Sequence, residues 1–296
     1  MSSQCIGVTQ IQSTQLYPSQ HQPGDAGLPM LLVENRQARA VIALQGAHVM
    51  SFQPKGQREM LWISPKTLFE SGKPIRGGIP LCLPWFGPHS EDKTWLHGFA
   101  RTRQWTLVGS NTLADGATRL VLELSGEATL CALWPHDFLF HLEIVVGKTL
   151  RLEMTVENRG QAPAPLAFAF HTYFAVPDVA QAVISGLEGT SFIDKTDNLA
   201  RKTQQGDVTI SAMTDRVYLD VPAKQRIKSE DGAITIESPS RCAIVWNAWH
   251  NDKNIGDIGE GNHVGYVCVE RGDAADHAVT LAPGTPYRCW MVLGLA

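Results

Sequence analysis

Two side chains in this sequence, His171 and Glu270, are suited to moving protons as a pair. His171 sits in Phe170-His-Thr-Tyr-Phe174. A strand there places it on the face of Ala169 and Tyr173, and the small alanines at 167 and 169 leave room beside it. Glu270 closes Gly265-Tyr-Val-Cys-Val-Glu270, and alternation puts it on the face of Tyr266 and Cys268. A carboxylate ending an apolar strand is costly to bury unless paired. Held in a pocket, its pKa rises towards use as a base. The plainer alternatives are a core histidine bonded to a carbonyl, and a strand-end glutamate that reaches solvent or pairs with Arg271.

A second group is cationic. Lys73-Pro-Ile-Arg-Gly-Gly-Ile-Pro-Leu-Cys-Leu-Pro-Trp-Phe-Gly87 carries Arg76 at the rim of a rigid apolar loop. Pro74, Pro80, Pro84 and Pro88 fix φ and remove backbone donors, so neither a regular helix nor a central strand runs through it. Gly77-Gly78 admits close backbone approach or positive φ. His97-Gly-Phe-Ala-Arg101 begins ten residues after Gly87. Two arginines and a histidine around apolar loop structure suit a polar, anionic small molecule. The alternative is that both arginines are ordinary surface charges.

Other polar residues read more simply. Asp215, in Met213-Thr-Asp-Arg-Val-Tyr218, is a turn former ahead of a strand. Asp137 and His136, in Trp134-Pro-His-Asp-Phe138, support a turn. The loop Asn251-Asp-Lys-Asn-Ile-Gly-Asp257 is solvated on this reading and has no assigned role.

The elements that must position these groups are strands. Apolar runs recur at 30–33, 40–44, 60–63, 105–109, 118–124, 138–146, 150–157 and 165–176, then on to the C-terminus. Turn signals such as Asp115-Gly116, Ser125-Gly126 and Asn158-Arg-Gly160 separate them. No segment sustains a 3.6-residue apolar period and no βαβ alternation occurs. The expectation is an all-β chain, a large antiparallel β-sandwich with short connecting helices. Residues 1–28, which include a Gln/Ser/Pro-rich stretch, read as an arm or edge segment. Residues 29–296 read as a single domain, since no linker or composition break divides them.

Composition excludes several classes. The net charge of −4 and the lack of any long basic run argue against nucleic acid or an anionic membrane as partner. Six cysteines (Cys5, Cys82, Cys131, Cys242, Cys268 and Cys289) form no CxxC pair, which points to a reducing, cytoplasmic setting. No signal peptide or membrane-length apolar run is evident. The ten histidines show no HxH or HExxH spacing, so no metal is expected. No phosphate-binding glycine loop, Rossmann fingerprint or GxSxG elbow occurs, and no cofactor is expected.

The motifs form an ordered set: Arg76-Gly-Gly-Ile-Pro80, Pro84-Trp-Phe-Gly87, His97-Gly-Phe-Ala-Arg101, Trp134-Pro-His-Asp-Phe138, His171-Thr-Tyr-Phe174, Thr214-Asp-Arg-Val-Tyr218 and Val267-Cys-Val-Glu270. From about residue 40 onward the chain resembles the glucose-6-phosphate 1-epimerases, the hexose-phosphate branch of the aldose 1-epimerase (galactose mutarotase-like) family. The resemblance implies a β-sandwich isomerase acting on a sugar phosphate by ring opening and reclosure; a monomer is the expectation for its assembly. It implies catalytic roles for His171 and Glu270, and substrate binding by Arg76, His97, Arg101 and Asp215. Leu96 stands where some relatives carry Gln, and Arg271 where many have a small residue or proline. The competing readings are an aldose 1-epimerase of unphosphorylated sugars and a non-catalytic carbohydrate-binding sandwich. A sugar lyase or hydrolase would need acid–base groups not evident here.

Overall fold

The computed structural model describes residues 7–296; Cys5 and the first six residues of the 1–28 arm lie outside the described residues. Two large antiparallel sheets dominate. One has eight strands, running Ala200–Thr203, Ser191–Asp194, Thr214–Leu219, Cys242–Asn247, Tyr266–Asp273, Phe168–Phe170 and Leu81–Cys82, with Tyr173–Ala175 also paired to Tyr266–Asp273. The other has nine, running Val208–Thr209, Val183–Ser185, Lys224–Ser229, Gly232–Glu237, Tyr287–Leu295, Leu150–Asn158, Phe138–Val146, Thr118–Gly126 and Thr106–Thr112. A smaller sheet joins Val8–Gln12, Pro29–Glu34, Ala38–Ala43 and His48–Pro54, so the N-terminal segment supplies its outer strand. Helix among the described residues is confined to short connections. The expected sandwich is therefore the observed one.

Period-2 patterning explains why these segments are strands. Leu150–Asn158 alternates buried and half-buried residues along its whole length. The inward faces of the two large sheets share one core. Phe168, Phe170, Val267 and Val269 from the eight-stranded sheet pack with Leu142, Ile144, Leu152 and Met291 from the nine-stranded sheet. Each such side chain contributes roughly 1.5–3 kcal/mol on burial, so this shared core, not the connections, holds the layers.

Two strand expectations were too simple. The run 60–63 makes only isolated bridges, Leu61 to Phe174 and Ile63 to Gly77. The run 165–176 breaks into Ala164–Leu166, Phe168–Phe170 and Tyr173–Ala175. Its face assignment nevertheless holds, with Phe168 and Phe170 in the core and Tyr173 on the opposite face.

The strand Tyr266–Asp273 is buried on both faces and sorts its residues by parity. Val267, Val269 and Arg271 point between the sheets; Tyr266, Cys268 and Glu270 point outward. Arg271 is fully buried. Its guanidinium donates to the carbonyls of Pro222, Ala223, Ser238, Ser240 and Cys242, to Ser240 Oγ and to Gln225 Oε1. Burial lowers its pKa to about 10, so it remains a cation at neutral pH, solvated by carbonyl dipoles. The alternative in which Arg271 neutralises Glu270 is thereby corrected, because the two adjacent side chains lie on opposite faces of the sheet.

Candidate active site

One row of side chains crosses the outer face of the eight-stranded sheet. Asp215 pairs in register with Trp246, Trp246 with Cys268, and Cys268 with Tyr173. Asp215 therefore lies within a strand and does not precede one as expected. Glu270 is two residues beyond Cys268 on the same face. Opposite Glu270 the ladder is broken. Phe170 still pairs with Arg271, and Tyr173 with Cys268, in a single register. His171 occupies the gap facing Glu270, its N–H turned away to the Pro80 carbonyl at 2.9 Å.

The break brings the two candidate groups together. His171 Nδ1 lies 3.4 Å from Glu270 Oε1, and both residues are buried, at 7% and 1% exposure. His171 Nδ1 and Glu270 Oε2 have no hydrogen-bond partner. The alternatives, a carbonyl-bonded core histidine and a solvent-reaching glutamate, do not fit these positions. Burial drives both groups towards neutrality. It raises the Glu270 carboxyl well above its ordinary range, with Lys195 and Arg101 opposing. It lowers the His171 imidazole well below its own, and Arg101 and Arg76 add to the effect. The His171 ring lies flat against Tyr173, with centroids 4.9 Å apart and planes 5° apart.

The proline-broken loop and the 97–101 segment dock on each other. Leu83 N donates to the His97 carbonyl at 3.3 Å, and Ala100 N to the Leu83 carbonyl at 3.1 Å. His97 adopts φ 61° and Gly98 φ 70°, the left-handed region. Gly87 N donates to His97 Nδ1 at 3.2 Å. Burial, reinforced by Arg101, keeps this ring neutral, so its proton resides on Nε2. The His97 and His171 rings meet edge to face at 5.5 Å.

The arginines differ in their partners. Arg76 is held by Asp257 Oδ2 at 3.1 Å and by the Tyr173 hydroxyl at 2.9 Å. Burial disfavours its charge, but Tyr173 and Asp257 outweigh that and hold it above its ordinary range. Arg101 donates to the Leu96 carbonyl at 2.7 Å, while its Nε is buried without a partner. Burial pushes Arg101 below its ordinary value, yet its charge is felt at both His171 and Glu270. The structure thus brings His171, Glu270, His97, Arg76, Arg101 and Asp215 into one electrostatically coupled cluster.

Comparisons with known proteins identify the family. The family model described as Aldose 1-epimerase matches residues 29–294. The chain belongs to the aldose 1-epimerase family. It is 37% identical over 254 residues to an Escherichia coli (strain K12) protein named "Putative glucose-6-phosphate 1-epimerase", covering 84% of each chain. A Salmonella typhimurium crystal structure, titled as that of a "putative mutarotase", superposes with a TM-score of 0.87 at 30% identity, covering 100% of this chain and 96% of that one. A "galactose mutarotase related enzyme" from Lactobacillus acidophilus shares the fold, with a TM-score of 0.70 at 15% identity over 90% of this chain and 97% of that one. An aldose 1-epimerase family member is an isomerase, and a facing imidazole and carboxyl are the groups that such chemistry needs.

Sequence reasoning missed four members of this cluster. Lys195 bonds Asp215 Oδ1 at 3.3 Å and lies 5.1 Å above the Phe86 ring. Asp257 anchors Arg76, so the loop assigned no role is part of the site and is not simply solvated. Tyr173 joins Arg76 to His171. Trp246 stands in the row between Asp215 and Cys268. Only Tyr173 carried a readable signal, its parity with His171 in one segment. Of the other motifs, Asp137 accepts the Ala128 N–H at 2.7 Å, as a turn support should. Among the described residues no group of histidine, cysteine and acidic side chains could hold a metal. No helix of the described residues is long and apolar enough to cross a membrane.

Proposed function

We propose that the protein interconverts the α and β anomers of a hexose 6-phosphate, with D-glucose 6-phosphate as substrate. The observation that carries this reading is the unpartnered His171–Glu270 pair beside three cations. Glu270 removes the proton from the C1 hydroxyl, the C1–ring-oxygen bond breaks, and His171 delivers a proton to the ring oxygen. The open-chain aldehyde rotates about C1–C2, and closure on the other face returns both protons with the roles reversed. His97 Nε2–H and Asp215 orient sugar hydroxyls. Arg76 and Arg101 hold the phosphate through charge-assisted hydrogen bonds.

The pair starts with one proton between its two members. Burial places that proton on Glu270 and leaves His171 neutral. The competent arrangement is the other one, carboxylate and imidazolium. A bound phosphate dianion screens the arginine charges that depress His171, and so raises the basicity of the imidazole when substrate is present, while Lys195, not assigned to the phosphate, still favours the Glu270 carboxylate. The kcat/KM profile should follow the one-proton pair. Activity falls at acid pH as His171 takes a second proton, well below its ordinary 6.5. It falls at alkaline pH as Glu270 loses the shared proton, well above its ordinary 4.5. The expected profile has its acid limb below the ordinary imidazole value and its alkaline limb above the ordinary carboxylate value. Its alkaline limb is the diagnostic one, because the substrate's phosphate titrates near pH ~6. A narrow bell bounded by ordinary carboxylate and imidazole values would contradict this assignment.

Substrate class is tested by following the anomerisation of glucose 6-phosphate and glucose side by side, with the spontaneous rate subtracted. Two charge-assisted contacts should favour the phosphate by roughly 10²-fold or more in kcat/KM. Arg101→Met should remove most of that preference by raising KM. Equal kcat/KM for the two sugars would point to an epimerase of free aldoses.

A further inference from the structure

The segment from Asp252 to His263 is tied at its base by a buried pair. Asp252 and His263 are 1% and 6% exposed. Asp252 Oδ2 accepts from His263 Nδ1 at 2.6 Å and from the His263 backbone N–H at 3.1 Å. Asn247 Nδ2 fixes the same end, donating to the His263 and Tyr266 carbonyls at 2.9 and 2.8 Å. Burial works against the Asp252 carboxylate, but the His263 bonds outweigh it and keep its pKa below the ordinary value.

Between these ends the loop is anchored at its centre. Ile255 and Ile258 pack against Tyr173 and Tyr266, and Ser64 Oγ donates to the Ile258 carbonyl at 3.3 Å. Asp257 immediately precedes this anchor, so its carboxylate has a defined direction. It meets Arg76 Nε at 3.1 Å. Arg76 cannot choose its own placement from the proline-broken loop, since a long side chain gives up rotamer freedom only to fixed partners. One partner, Tyr173, comes from the sheet. The other comes from this loop.

We propose that the buried Asp252–His263 pair is the positioning device for Arg76: it closes the loop that delivers Asp257, and so sets the affinity for the anionic substrate without touching it. This rests on the functional reading above. The pair acts chiefly on binding, because Arg76 is assigned to the substrate's charge and bonds neither proton-transferring group directly, its charge reaching His171 only through space.

A double-variant cycle tests it. Asp252→Ala should raise KM for glucose 6-phosphate about tenfold, a change of about 1.4 kcal/mol, with kcat within about twofold of wild type. Asp252→Asn keeps an oxygen acceptor for both His263 donors and should restore KM. Asp257→Ala should give the same rise alone, and Asp252→Ala should add nothing to it. If Asp252→Ala does not fold, His263→Phe takes its place, since it removes the ring donor and retains the buried volume. A lowered melting temperature with unchanged KM, or effects that multiply in the double variant, would overturn the proposal and leave the function intact. A wild-type protein that neither binds nor turns over glucose 6-phosphate would overturn the functional reading, and this one with it.

Discussion

Glu270→Gln and His171→Asn should each lower the rate of glucose 6-phosphate anomerisation by roughly 10²–10⁴, with substrate binding nearly unchanged. Each substitution keeps the side chain's approximate shape and removes its proton chemistry. Neither residue is assigned to the phosphate, so KM or the equilibrium dissociation constant should move little. The double variant should be hardly worse than either single one, because the two groups act as a unit. A second readout separates this role from a structural one. Glu270 has a raised pKa in the folded protein and an ordinary one when unfolded, so ionisation opposes folding. That destabilisation is absent below the unfolded pKa and grows as pH rises towards the folded pKa. Glu270→Gln removes it, so the inactive variant should unfold at a higher temperature than wild type at neutral pH, and the gain should widen with pH. Near-normal rates in both variants, with or without the stability gain, would remove the acid–base assignment.

Gly98→Ala should be the most damaging single methyl addition to the loops around the site. A Cβ at Gly98 would fall far inside van der Waals contact of the Leu83 carbonyl, and φ there is already 70°. Gly87 is the matched control: its φ is 77°, yet a Cβ there meets nothing within 4 Å. Gly87→Ala therefore pays only the left-handed penalty, roughly 1–2 kcal/mol. Gly98→Ala adds an overpacking cost of roughly 1–3 kcal/mol, for a total of about 2–5 kcal/mol. Because Gly98 lies between His97 and Arg101 on one docked segment, the backbone shift should also weaken substrate binding. Denaturant unfolding and KM, measured on both variants, check it. Equal losses for the two glycines would mean that the docking of 83–84 on 97–101 is not rigid.

Much of the fold was legible because strands have a period of two. The parity of Glu270, Cys268 and Tyr266, and of His171 and Tyr173, could be read from either segment alone. The meeting of the segments could not. Register is a long-range property, and nothing in Phe170-His-Thr-Tyr-Phe174 says that its partner is Val267-Cys-Val-Glu270. The break at 171–172 was likewise hidden, since the alternating run 165–176 reads as one uninterrupted strand. Lys195 escaped notice and Asp257 was left without a role because each sits in a polar turn, where a charge carries no burial signal. Arg271 is a different case. Its parity with Val267 and Val269 marked it as core-facing, but a buried arginine with no acidic partner runs against the usual expectation, and its oxygen cage is assembled from two separate segments, 222–225 and 238–242.

The opposite placement of Glu270 and Arg271 also guards the assembly of the sheet. A slip of one residue would exchange their sides. A carboxylate would then enter a nest of oxygen atoms, acceptor against acceptor, while a further positive charge crowded Arg76, Arg101 and Lys195. Both halves of that mistake are repulsive, so charge as well as packing disfavours the slipped register. The alternation that gives this strand a polar site on one side thus also ties it to a single alignment on the other.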